Sequence, residues 1–370
     1  MSFYKSMIKK YGDDQVFSFD NENAPKYHII PFNLPSLDYE SGVGGIPTGR
    51  IIELYGDYSA GKSTMSNLLI KSAQALAKLP GFFKGKRALL IDMENSADKV
   101  YLKRMGIDLS EDTGLIIARL DSGEDAFDMM EAACLSGEIS LIIVDSVPAL
   151  LPIKMMENDM DYNPIGLQAR MISLGMNKLK GIASKTNTAC VFINQTRVDV
   201  GKMHGNPETT PGGKALSFYA TMRIRLARTV IVKGKDKVGQ TIRASFEKNK
   251  VSAPFTKTEF NYFFDSGIDM HLDIAKLSNR LDIFSKSGSW FYLGESMKAP
   301  DQLSDGTPIK FNGETQLADA FRQHFELFLT ANTLIKKRLD DRANAAFIEE
   351  EFDSEEEARI LAEAEQAALV

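Results

Sequence analysis

Histidine, cysteine and long apolar runs are scarce in this chain, and each scarcity narrows the functions open to it. The four histidines, His28, His204, His271 and His324, are scattered without zinc-ligand spacing. Only two cysteines occur in 370 residues, Cys134 and Cys190, both in apolar surroundings, so they read as buried thiols and not as a disulfide framework. No run approaches the ~18 consecutive apolar residues of a membrane span. The first ten residues are followed by acidic and polar ones instead of the apolar core of a secretory signal. The expectation is a soluble, cytoplasmic protein with no membrane partner. A basic excess is also missing: 44 Lys and Arg face 50 Asp and Glu, for a net charge of −6. That argues against a uniformly basic nucleic-acid coat but leaves room for a local basic groove. What is present is a 44% apolar content, ample for a core, in a chain long enough for a main domain with smaller appendages.

The most informative stretch is Gly56-Asp57-Tyr58-Ser59-Ala60-Gly61-Lys62-Ser63, a complete G-x-x-x-x-G-K-[ST] pattern. An apolar run from Ile51 to Tyr55 predicts a strand before it, and residues 63–79 predict an amphipathic helix after it. The glycines permit a tight turn whose N–H groups face a phosphate, and the unsatisfied N–H groups of the helix start add to that cradle. Lys62 is placed to reach the β- and γ-phosphates and the Ser63 hydroxyl to ligate Mg²⁺. The candidate contacts run through Thr64, and the chain is expected to bind a nucleoside triphosphate with Mg²⁺.

Further strands are expected at 87–93, 115–118, 139–145 and 188–194, with helices at 97–105, 124–135 and 166–183 between them. Nearly unbroken apolar strands alternating with helices predict a mostly parallel sheet covered on both faces, with ligands at the carboxyl ends of its strands. Period-two stretches at 221–226, 241–248 and 258–264 predict an antiparallel extension. Beyond Gly267 a small α+β unit is expected, with helices over 272–284 and 314–340 and a strand at 290–293. The expected domains are therefore an N-terminal arm (1–40), an α/β P-loop core (41–267), a small C-terminal domain (268–340) and an acidic tail (341–370). The arm packs either on its own core or on a neighbouring subunit. The tail is either solvated or a competitor for basic residues.

Acids at strand ends carry the expected chemistry. Asp145 closes the run Leu141-Ile142-Ile143-Val144 and is the candidate to hold the Mg²⁺ water shell. Glu94 is the candidate to orient the attacking water. Asp92, two residues earlier, is expected to point the same way, one of the pair having a structural or second metal-associated role. Gln195 ends a strand and opens a long polar stretch, a position from which an amide can sense the γ-phosphate. Arg197, Lys202, Lys214, Arg223, Arg225 and Arg228 form the most basic neighbourhood, read either as a phosphate-backbone groove or as a solvated strand face. Lys248 and Lys250 alternate near a strand end and on their own read as solvated.

Taken together, the stretches 42–50, 56–63, 90–94, 141–146, 192–195, 205–213, 215–220 and 248–250 resemble the RecA family of homologous-recombination ATPases, and within it the bacterial type. The resemblance covers roughly 40–295, about two thirds of the chain, and Gly205-Asn206-Pro207-Glu208-Thr209-Thr210-Pro211-Gly212-Gly213 is its most diagnostic part. It implies a RecA-type ATPase core, with Lys62, Ser63, Glu94 and Asp145 as ATPase residues and Asp98 and Tyr101 against adenine. It implies that Lys248 and Lys250 act catalytically on the ATP of an adjacent subunit, and that Phe218 lies at the subunit interface. Ile165 and Val200 match residues that wedge between base triplets. Arg170, Arg228, Gly212 and Gly213 match DNA-backbone contacts, and Arg197 and Lys214 lie beside them.

The implied function is an ATP-dependent recombinase that forms a helical homo-oligomeric filament on single-stranded DNA. It pairs that strand with homologous duplex DNA and hydrolyses ATP when DNA is bound, with single-strand-binding and mediator proteins as further partners. Asn177 and Ala227 depart from the family's arginines, as does the sequence at 160–164, which shifts weight to Lys178 or Lys214 and suits a divergent, viral member. Two alternatives stay open: a hexameric translocase or helicase on the same core, and an accessory paralogue that exchanges no strands.

Overall fold

The structure, a computed structural model, describes residues 2–13, 15–18, 26–158, 166–198, 208–293 and 310–345. The acidic tail beyond its first five residues, which belong to α11, lies outside them, as do Ile165, Val200, Lys202, the stretch 160–164 and residues 205–207 of the 205–213 stretch. In chain order the elements are α1 (Phe3–Tyr11), β1 (Ile29–Ile30), α2 (Pro35–Ser41), β2 (Ile46–Pro47), β3 (Ile51–Gly56), α3 (Lys62–Leu76), β4 (Arg87–Asp92), α4 (Lys99–Arg104), β5 (Ile116–Ala118), α5 (Gly123–Ser136) and β6 (Ile139–Asp145). They continue with α6 (Ile153–Met156), α7 (Leu167–Thr186), β7 (Ala189–Gln195), β8 (Arg197–Val198), β9 (Glu208–Thr209), α8 (Lys214–Tyr219), β10 (Met222–Lys233), β11 (Asp236–Asn249) and β12 (Lys257–Phe263). The last are β13 (Gly267–Ile268), α9 (Met270–Arg280), β14 (Phe284–Ser287), β15 (Trp290–Leu293), β16 (Lys310–Asn312), α10 (Gly313–Gln323) and α11 (Phe325–Ala345).

Among the described residues the main sheet has nine strands in the order β13-β12-β11-β10-β3-β7-β6-β4-β5. From β10 to β5 the neighbours pair in parallel, and from β10 to β13 they pair antiparallel, as the sequence patterning predicts. Side chains alternate across the strands. Ile52, Leu54, Ile143 and Val191 therefore join α2 and α3 in one apolar cluster, while Ile51, Ile142 and Phe192 join α5 and α7 in another. Cys134 and Cys190 are buried free thiols in the second cluster, as expected.

Several boundaries differ from the sequence expectation. Ile30, Phe32, Leu34 and Leu37 are fully buried in the first cluster, and β1 pairs with β2, so the core begins well before residue 41. Only α1, which buries none of its residues, keeps the character of an arm. β10 runs on to Lys233, because the β-branched stretch Thr229-Val230-Ile231-Val232 continues the ladder into a tight hairpin turn at Gly234 (φ 65°). The helix expected over 272–284 stops at Arg280: Asp282 is left-handed (φ 50°), Ile283 N donates to Ser278 O, and Phe284 starts a strand. The helix expected over 314–340 is two helices, since His324 is extended and turns the chain so that Phe321 and Phe328 meet edge to face.

The C-terminal unit has its own cluster, including Ile274, Phe284, Phe311, Phe321 and Ile335, and meets the core through α2. At that joint Asp273 Oδ2 accepts from Ser36 N, Glu40 pairs with Arg280, and Arg342 donates to Tyr39 O. Asp38, also fully enclosed, accepts from Phe32 N. Burial, reinforced by the Asp273 charge, pushes the Asp38 carboxyl from 3.8 up to about 8. Burial pushes Asp273 up to about 6, against the pull of Ser36, Lys276 and Arg280. Both acids hold protons more tightly folded than unfolded. The stability they contribute is complete below their unfolded values near pH 4 and is lost as pH rises through 6 and then 8. Thermal unfolding should therefore show the midpoint falling by a few degrees between pH 6 and 8.5. Asp38→Asn should flatten that slope, because its amide oxygen still accepts from Phe32 without ever ionising.

Candidate nucleotide and DNA site

β3 ends at Gly56 and α3 begins at Lys62, with left-handed Gly61 (φ 93°) between them and no side-chain cap on the helix. The glycines are sterically required. A Cβ on Gly56 would stand 2.2 Å from Leu226 O, and one on Gly61 would stand 2.6 Å from the Ile242 side chain. The open helix start leaves N–H groups facing the turn, the arrangement that cradles phosphate. Asp57, Tyr58 and Ser59 are exposed on the turn, Ala60 and Thr64 are buried beneath it, and Ser63 is exposed at the helix start. Lys62 Nζ donates to Gly56 O (3.0 Å) and Asp57 O (2.8 Å), so the ammonium is held on the loop's own carbonyls. Burial lowers its pKa against the opposing pull of Asp145, Asp57 and Glu94.

Asp145 ends β6 directly across from Asp92 on β4, and its peptide bond to Ser146 is cis. Burial, then the charges of Glu94 and Asp92, push the Asp145 carboxyl up to about 6, with Lys62 opposing. Asp145 and Glu94 act on one lysine, Lys62, which leaves negative charge for a cation to neutralise. Among the described residues no group of three or more His, Cys, Asp or Glu side chains forms a protein-only metal cage. Mg²⁺ needs none, since it keeps its waters and takes one or two protein oxygens beside phosphate. The exposed Ser63 hydroxyl and Asp145 fit that requirement.

The structure separates the two acids that the sequence places together. β4 stops at Asp92, whose buried carboxylate accepts from Ser96 N (2.9 Å), Ala97 N (3.1 Å) and Arg119 Nε (3.2 Å). Glu94 lies beyond the strand, in a turn with left-handed Asn95 (φ 54°), so the two do not share a pleat. Asp92 therefore takes the structural role, and Glu94 meets Ser146 Oγ, which donates to it, and Gln195 Nε2 at 3.5 Å. Beside this cluster a cavity of about 230 Å³ is lined by Ser63, Asn67, Asp98, Tyr101 and Asp145, among others. Asp98 also caps α4 by accepting from Tyr101 N. Phosphate loop, acids and adenine candidates thus share one site.

The basic and interface candidates are dispersed. Gly212 and Gly213 are both left-handed (φ 90° and 76°) and lead into α8. Gly213, Lys214, Arg223 and Arg225 line a polar cavity of about 410 Å³ near the end of β3. Arg197 is exposed on β8. Arg170 and Lys178 line a different groove, of about 570 Å³, between α5 and α7. Arg228 is exposed on the projecting part of β10 and lines neither cavity. Phe218 is 72% exposed. Lys248 Nζ donates to Ser217 O and Phe218 O, 2.9 Å each, at the end of α8, and exposed Lys250 follows β11.

Sequence reasoning missed Glu53, a fully buried carboxylate on β3 that binds Asn194 and Arg223. Its signal was a lone acid inside Ile51-Ile52-Glu53-Leu54-Tyr55, a costly residue to bury without partners.

A family model described as the RecA N-terminal domain matches residues 2–269. The chain is similar to the RecA protein of Oceanobacillus iheyensis, 37% identical over 326 residues that cover 87% of this chain and 91% of that one. It is 35% identical to the RecA protein of Thermus thermophilus, covering 92% of this chain and 94% of that one, and 39% identical to that of Clostridium perfringens, covering 85% and 88%. These relatives align along nearly their whole length, and the nine strands of the main sheet, the phosphate loop and the acids at its edge lie within residues 2–269. The chain therefore belongs to the RecA family.

Proposed function

We propose that the chain is an ATP-dependent DNA recombinase that assembles on single-stranded DNA, pairs it with homologous duplex and exchanges strands. The observation that carries this reading is the contact between Glu94 and Gln195. It joins the residue best placed to orient water at a γ-phosphate to the residue that opens the polar segment between β7 and α8. ATP is the fuel, held by Gly56–Thr64 with adenine between Asp98 and Tyr101. Ser63 and, through water, Asp145 would hold Mg²⁺, which would supply charge neutralisation on the phosphates. Lys62 leaves its loop carbonyls for the phosphates, and Glu94, fixed by Ser146, orients the attacking water. Gln195 then reports the γ-phosphate to the residues that grip DNA: Arg197, Val200, Gly212, Gly213 and Lys214, with Ile165, Arg170 and Arg228 from neighbouring segments. Such a grip acts on the DNA backbone and leaves the homology test to base pairing.

A head-to-tail filament fits two unlike surfaces on one chain, the protruding Phe218 and the apolar groove between α5 and α7. In it Lys248 and Lys250 would complete the ATP site of the next subunit.

Lys62→Ala should lower ATP hydrolysis on the order of 10²-fold or more and abolish strand exchange. Both are measured with and without single-stranded DNA. DNA-stimulated hydrolysis without joint molecules in the unaltered protein would overturn the recombinase reading in favour of a translocase or an accessory role. Lys248→Ala should keep nucleotide binding by the isolated chain yet lose DNA-stimulated hydrolysis on the order of 10³-fold, as expected for a cation supplied in trans to a transferring phosphoryl group. Full activity in that variant would exclude the trans role.

A further inference from the structure

We propose that Asn194 and Glu53 are positioning residues that make DNA binding depend on the nucleotide, a link that rests on the functional reading above. Three neighbouring strands, β10, β3 and β7, each send one polar side chain into the same buried space near the carboxyl edge of the sheet. Glu53 and Arg223 stand opposite each other in the parallel register of β3 and β10, and Asn194 stands opposite Tyr55 on β3's other side. Glu53 and Asn194 have no exposed surface at all.

The Asn194 amide makes three hydrogen bonds. Its Nδ2 donates one hydrogen to Glu53 Oε1 (2.9 Å) and the other to Pro211 O (3.1 Å), while its Oδ1 accepts from Gln195 N (2.9 Å). The reversed amide would face a carboxylate and a carbonyl with its oxygen, so these partners fix its orientation. Glu53 Oε2 in turn accepts from Arg223 Nε, whose guanidinium lies 4.6 Å from the Tyr55 ring centre.

The consequence is mechanical. Gln195 is the residue that meets Glu94, and its backbone N–H is held by Asn194. Pro211 immediately precedes the two left-handed glycines that open α8. An amide bound to three partners at once cannot turn for one without releasing another, and fully buried Glu53 has no water to replace the bond it would lose. A displacement at Gln195 is therefore passed to Gly212-Gly213, while Glu53, anchored on the strand that carries the phosphate loop, supplies the fixed point. The relay has a defined two-state input, Gln195 with or without a γ-phosphate, and a defined output, the loop that grips DNA.

The test compares full-length protein with Asn194→Ala and Glu53→Gln. Three quantities are read: affinity for a fluorescent ATP analogue without DNA, affinity for a single-stranded oligonucleotide with a non-hydrolysable ATP analogue, and the same affinity with ADP. In both variants nucleotide affinity should stay within about twofold, and in Asn194→Ala the ratio of DNA affinities, ATP analogue over ADP, should fall about tenfold or more. Glu53→Gln should show a smaller fall, because its amide oxygen still accepts from Asn194. A merely structural defect would weaken DNA binding equally with both nucleotides, so an unchanged ratio in Asn194→Ala overturns the relay. Should Asn194→Ala fail to fold, an unchanged ratio in Glu53→Gln overturns it and a reduced one supports it. Unaltered protein whose DNA affinity ignores the nucleotide overturns the functional reading itself, before either variant is compared.

Discussion

Four parallel strands that stop at one edge impose the constraint on which the rest of the site depends. β3, β7, β6 and β4 are neighbours, with Gly56 opposite Gln195 and Asp92 opposite Asp145 in the ladder. The spatial order is not the chain order, so residues separated by more than a hundred positions arrive at the same level. Parallel pairing forces each return crossing onto a face of the sheet, and the helices that make those crossings supply the two apolar clusters that hold the edge rigid. At Asp145 burial and the neighbouring acids oppose the charged form, and Lys62 is the group that favours it. The same edge crowds Asp92, Glu94 and Asp145, and the fold resolves the crowding by giving Asp92 hydrogen bonds and a guanidinium of its own.

Much of this was legible in the sequence, for a specific reason. The phosphate loop, the apolar strands and the acids that close them are local patterns, each readable within a few residues, and the strand–helix alternation orders them into a parallel sheet. The illegible parts depend on partners far along the chain. Glu53 reads locally as an error in an apolar strand; only the register with β10 and β7 supplies Arg223 and Asn194. Asp92 and Glu94 look equivalent at a spacing of two, and the end of β4 between them removes that equivalence. Lys248 reads as a solvated lysine, yet its ammonium closes the carbonyl end of α8.

The C-terminal unit shows the same limit in its packing. Helical periodicity spans His324 without interruption, and only the aromatic cluster of Phe321, Phe325 and Phe328 explains why the chain turns there. The joint with the core rests on Ser36 and Glu40 of α2 meeting Asp273 and Arg280 of α9, and on Arg342 reaching Tyr39 from α11. These groups are some 240 to 300 positions apart, and no periodicity in either segment announces the pairing.

In the head-to-tail assembly proposed above, the resting place of Lys248 on the carbonyls of α8 would have a consequence for the two ends. A subunit inside the polymer both lends its lysine forward and receives one from behind. A subunit at one end has no neighbour to serve, so its lysine stays parked on Ser217 and Phe218. A subunit at the other end holds a nucleotide pocket that no lysine enters. The two termini are then chemically unlike, one idle in its reach and the other incomplete in its turnover. Polarity of growth and loss would then follow from where a single ammonium rests, with no separate capping device required.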